Sequence, residues 1–110
     1  MTAQRACGVD DVAVSAAVKV ELDGIAVAIV KQSDGTIHAI GDTCTHGEIS
    51  LSEGFVEDDT IECWAHGSQF ALRTGKPLNL PAYEPVPVFP VTIDGDDVLV
   101  DVANPLTQNS

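Results

Sequence analysis

The sequence predicts an all-β domain of antiparallel strands. Three observations carry this: apolar residues recur with period two, Asp-Gly and Ser-Asp-Gly punctuate the apolar stretches, and helical periodicity is almost absent. With 110 residues the chain can bury one substantial core but not two, so residues 1–110 are expected to form a single domain.

Taken in order, Val18, Val20 and Leu22 alternate with Lys19 and Glu21, which predicts a strand with one wet face. Asp23-Gly24 then turns the chain into Ile25–Val30, because the favoured two-residue hairpin turn needs positive φ at both central positions. Ser33-Asp34-Gly35 marks the next turn, into a strand over Thr36–Ile40. Phe55–Glu57 and Thr60–Glu62 predict two short strands joined at Asp58-Asp59. Residues 74–87 hold Gly75, Pro77, Pro81, Pro85 and Pro87, the composition of a stiff irregular loop. Val86, Val88 and Pro90–Ile93 lead through Asp94–Asp97 into a return strand over Val98–Val102. Pro87 and Pro90 cannot donate to a ladder, so their strand belongs at an edge or at a bulge. Residues 104–110 read as a frayed tail.

The charge balance is lopsided. Five basic and seventeen acidic side chains give −12, which argues against a nucleic-acid backbone or an anionic membrane as partner and favours a basic protein. Ile25–Val30, the longest apolar run, is too short for a membrane-spanning helix. Residues 1–20 lack the basic and apolar regions of a signal peptide. The three cysteines, Cys7, Cys44 and Cys63, leave no pair for a disulfide once two are committed to a metal, and a reducing, cytoplasmic setting follows.

The chemistry concentrates in two half-sites. Cys44-Thr45-His46 is followed by the sixteen residues Gly47–Glu62, then by Cys63-Trp64-Ala65-His66-Gly67-Ser68. Each half offers one thiolate and one imidazole. Two cysteines and two histidines suit a zinc ion or a [2Fe–2S] cluster with thiolates on one iron and imidazoles on the other. Zinc knuckles normally read C-x2-4-C or H-x3-5-H, whereas both halves here are mixed. Gly47 and Gly67, directly after the histidines, let backbone amides approach something bulky and negative, such as bridging sulfides. The donor set favours the cluster, with a zinc-stabilised interaction module as the alternative.

C-T-H-G, fifteen residues, then C-W-A-H-G-S resembles the two-box motif of Rieske-type [2Fe–2S] proteins, and Arg73–Pro77 with its Pro-rich continuation resembles the segment that covers their cluster. The likeness spans about residues 15–102. It implies a Rieske-type antiparallel β-sandwich with a small cluster-binding subdomain, whose cluster-binding loops lie at about 43–49 and 62–70. It also implies one [2Fe–2S] cluster per chain, with Cys44 and Cys63 on the buried iron and His46 and His66 on the outer iron. Gly47, Gly67 and Ser68 would surround it. Rieske centres as a class lie at about −150 to +300 mV, against about −400 mV for plant-type ferredoxins.

Within the family, the respiratory branch carries a membrane anchor and an extra disulfide. Ile49 and Ala65 stand at the disulfide positions here, and no anchor is read. Oxygenase large subunits need a second, mononuclear iron, for which only His38 remains outside the boxes. The resemblance is therefore to the free-standing Rieske ferredoxins of ring-hydroxylating dioxygenase systems and their actinobacterial relatives. It implies a one-electron carrier, not an enzyme, with no catalytic residues. The implied partners are a flavin-dependent ferredoxin reductase and a terminal oxygenase or other acceptor. Iron–sulfur assembly and redox sensing stand as alternative roles. Ser68 keeps a possible donor to a cluster sulfide, while Phe70 replaces a tyrosine hydroxyl found in high-potential members, which implies a low midpoint. Cys7 is expected to be a buried apolar side chain, His38 structural or surface, Trp64 packed, with a docking surface beside the cluster as its alternative, and Arg73 and Lys76 paired locally with acids.

Overall fold

The computed structural model describes residues 3–42, 50–64, 69–78 and 86–102. Among the described residues ten strands follow in chain order: β1 (Gln4–Gly8), β2 (Ala16–Leu22), β3 (Ile25–Lys31), β4 (Ile37–Gly41), β5 (Phe55–Glu57), β6 (Thr60–Glu62), β7 (Gln69–Ala71), β8 (Val88–Phe89), β9 (Val91–Asp94) and β10 (Asp97–Val100). All pairings are antiparallel, in three sheets ordered β1-β10-β9, β2-β3-β4-β8 and β5-β6-β7.

The four-stranded sheet is the middle layer. One of its faces places Leu22, Val27, Ile29, Ala39 and Phe89 against Cys7, Val98 and Val100 of the β1-β10-β9 sheet. The other places Ala28, Val30, Ile40 and Val88 against Ile61, Phe70 and Leu72 of the small-sheet region. That double burial explains why β3 reads as a continuous apolar run instead of alternating. The expected sandwich is therefore present, with the small sheet packed on its far side.

The turns follow their residues. Leu22 pairs with Ile25 across Asp23 (φ 53°) and Gly24 (φ 78°), the two positive φ values that a tight hairpin requires. Pro90 lies where the chain leaves one sheet for another: β8 is an edge strand of the middle sheet, β9 an edge strand of the outer one. Both prolines thus avoid the inside of a ladder, as expected.

Two strands escape the sequence reading. β1 pairs with β10 through a bulge between Arg5 and Cys7. Its pattern shows little because Cys7 alone of its five residues is buried. β7 extends the predicted β5–β6 hairpin, with Ile61 opposite Phe70 and Glu62 opposite Gln69. The end of β6 at Glu62 and the start of β7 at Gln69 thus take up both ends of the expected 62–70 loop, because burial of Phe70 beside Ile61 recruits Gln69–Ala71 as a strand.

Candidate metal centre

The small sheet is built so that its core face runs into a cysteine. Along β6 and just beyond, Ile61 points inward, Glu62 outward and Cys63 inward, the period of a strand. Cys63 is fully buried, in one apolar core with Leu51, Ile61, Phe70, Leu72 and Val86. It forms no disulfide. Its sulfur faces the protein interior, so a metal cation bound to it there would be shielded from water. The position fits a ligand on the inner side of a metal centre. Cys44, His46, Gly47, His66, Gly67 and Ser68 lie outside the described residues, as do Ile49 and Ala65.

The residues flanking the first half-site hold its ends together. Asp42 is 1 % exposed. Its N–H donates to the Ala26 carbonyl of β3 (3.1 Å), and its carbonyl accepts the Leu51 N–H (2.6 Å). Its Oδ1 accepts the Ser52 N–H at 2.9 Å. One buried residue thus ties the chain before 43–49 to the 3-10 turn Leu51–Glu53 after it, and both to the middle sheet. Sequence reasoning missed Asp42. An acid beside a loop is ordinary, and no spacing signals a partner ten residues on.

Glycines serve the other edges of the site. A Cβ on Gly54 would overlap the Glu62 carbonyl oxygen, next to Cys63. A Cβ on Gly75 (φ 73°) would overlap the Val86 carbonyl oxygen. Gly75 donates its N–H to Ala71 (2.7 Å) and accepts one from Val86 (2.8 Å) through its carbonyl, which draws the two ends of the Pro-rich segment together. Within that segment 79–85 lie outside the described residues.

The remaining candidates divide. Cys7 is buried in the opposite core, as expected, and burial pushes its thiol pKa up. His38 sits on β4 with Nε2 at 2.6 Å from Gln32 Oε1. Burial, followed by the charge of Arg73, holds its imidazole below the ordinary range, while Asp34 and Asp59 oppose the shift. Phe70 is fully buried and has no hydroxyl to offer. Trp64 corrects the expectation of packing. It is 51 % exposed, because the alternation that turns Cys63 inward turns its successor outward. Arg73 and Lys76 join no ion pair among the described residues, where the pair formed is Arg5 Nε to Asp97 Oδ1 at 2.8 Å.

Comparison with known proteins identifies the centre. The Rieske [2Fe–2S] domain family matches residues 2–90, and the chain belongs to it. It carries the family's single [2Fe–2S] cluster, and it is a ferredoxin-type electron carrier of that family. The biphenyl dioxygenase ferredoxin subunit of Pseudomonas sp. (strain KKS102) is 47 % identical over 102 residues, covering 92 % of this chain and 93 % of the relative. The ferredoxin of carbazole 1,9a-dioxygenase from Nocardioides aromaticivorans IC177 superposes with a TM-score of 0.85 at 32 % identity, covering 91 % of this chain and 97 % of that one. A chain from the complex of reduced oxygenase and oxidised ferredoxin in carbazole 1,9a-dioxygenase gives 0.84 at 35 % identity, covering 91 % and 93 %. Among the described residues no helix is long and apolar enough to cross a membrane.

Proposed function

We propose that this ferredoxin takes single electrons from a flavin-dependent ferredoxin reductase and passes them to the terminal oxygenase of a ring-hydroxylating dioxygenase, in the cytoplasm. The observation that carries the reading is Cys63, fully buried at the end of β6 in a chain 47 % identical to a dioxygenase ferredoxin subunit. In this reading Cys44 and Cys63 hold the inner iron, His46 and His66 the outer iron, and Gly47, Gly67 and Ser68 surround them.

Bound there, the cluster supplies a reversible one-electron couple. The protein's own part is to hold and to insulate. Cys63 enters from the apolar core, where Leu51, Ile61, Phe70 and Leu72 exclude water from its sulfur. Asp42 anchors the segment that carries Cys44 and His46 by closing its two ends. Neutral imidazoles in place of two thiolates lower the negative charge of the centre, so it accepts an electron more readily than an all-cysteine site.

The test is a relay assay with the reductase and oxygenase of the KKS102 biphenyl system. Substrate oxidation from NADH is expected to require this protein. Absence of turnover by protein that dithionite reduces fully would overturn the assignment of the acceptor.

A further inference from the structure

The outer face of the small sheet is unusual in what it exposes. Phe55 pairs with Glu62, and Glu62 with Gln69. The Gln69 carbonyl accepts the Leu78 N–H at 2.7 Å. Residues opposed across antiparallel strands point to one side, so Phe55, Glu62, Gln69 and Leu78 form a row on one face. Val56, Ile61 and Phe70 occupy the other, against the core. At strand spacings the row is about 14 Å long. Trp64 follows two residues after Glu62 at the end of the sheet where Cys63 enters the core. Phe55, Trp64 and Leu78 are 57 %, 51 % and 55 % exposed.

These apolar side chains sit among acids. Glu53, Glu57, Asp58 and Asp59 are exposed, and Glu62 is half-buried between Phe55 and Gln69. The combination specifies a partner. Three large apolar groups seek an apolar recess, and the acids around them seek Lys and Arg at its rim. A second copy of this chain fits badly, because two molecules of charge −12 repel on approach.

We propose that this face, anchored by Phe55, Trp64 and Leu78, docks the electron-accepting protein through an apolar recess rimmed by basic side chains. The proposal rests on the electron-carrier reading and adds a division of labour to it. The acids raise the encounter rate, and the apolar anchors hold the encounter complex long enough for transfer. Proximity to Cys63 places the docked surface at the end of the sheet that leads into the metal centre.

The test uses reduced holoprotein and mitochondrial cytochrome c, a strongly basic haem protein, in stopped-flow at several ionic strengths. Phe55→Ser and Leu78→Ser are each expected to lower the second-order rate by about tenfold, with the salt slope and the cluster midpoint unchanged. Glu57→Gln is expected to flatten the salt slope. Ile93→Ser, an equally exposed apolar site on the outer sheet (48 %), is expected to stay within about twofold, as for most surface positions outside a hot spot. Rates within about twofold of wild type for both Phe55→Ser and Leu78→Ser would overturn the proposal, since docking anchors cost more. So would a shifted midpoint that accounts for the loss, or a wild-type dimer that Phe55→Ser dissolves. Failure of the wild-type protein to reduce cytochrome c at all would instead remove the electron-carrier reading, and the proposal with it.

Discussion

The middle sheet and the small sheet share one core yet are built on opposite terms. The middle sheet has a central strand, β3, buried on both faces, and tight β2–β3 and β3–β4 turns whose glycines look into open space. The small sheet has strands of three residues, one buried face, and glycines pressed against backbone carbonyls. Area stabilises the first, at about 25 cal/mol for each Å² of apolar surface buried. Close contact and metal ligation must hold the second, because three short strands bury too little to stand alone. The frame and the site are thus separable, and mutations should sort accordingly.

The largest contrast is between the two buried cysteines that the structure describes. Cys63→Ala should abolish cluster binding, seen as loss of visible absorption and of iron. Cys7→Ala, in the outer core, should leave iron content unchanged and cost about 1 kcal/mol of stability in urea unfolding. The glycines come next. Gly54→Ala and Gly75→Ala should each cost about 3 kcal/mol, since a methyl group must displace backbone. Gly24→Ala, strained in φ but unobstructed, should cost about 1 kcal/mol. Equal losses at Gly54 and Gly24 would erase the distinction between the sheets.

Asp42 joins the two regions. Asp42→Ala should cost about 2 kcal/mol by leaving the Ser52 N–H without its acceptor, and should hasten cluster loss to a chelator. Asp42→Asn keeps an oxygen at that position and should recover most of both.

The smallest effect concerns His38. Its folded pKa lies below its unfolded one, so between the two values the unfolded chain binds more protons. Stability should therefore fall as pH drops from about 6.5, and His38→Gln should flatten that slope in thermal melts of the holoprotein.

What the sequence disclosed follows the same divide. The β2–β3 hairpin was legible because Asp23-Gly24 and the flanking alternation are local signals. The two half-sites stand out because mixed Cys/His pairs at that separation are rare, and of their four candidate ligands Cys63 lies among the described residues. β1 stayed hidden because pairing with β10, some ninety residues away, supplies its burial. β7 stayed hidden because three residues, Gln69–Ala71, show no period. Asp42 and the outward turn of Trp64 depend on which neighbours the fold brings near, which no local pattern encodes.

The most direct measurement is metal and sulfide analysis of anaerobically purified protein, with EPR after dithionite reduction. The account predicts two irons and two labile sulfides per chain and a paramagnetic reduced state with nitrogen couplings from two imidazoles. Colourless protein with stoichiometric zinc and no EPR signal would contradict it.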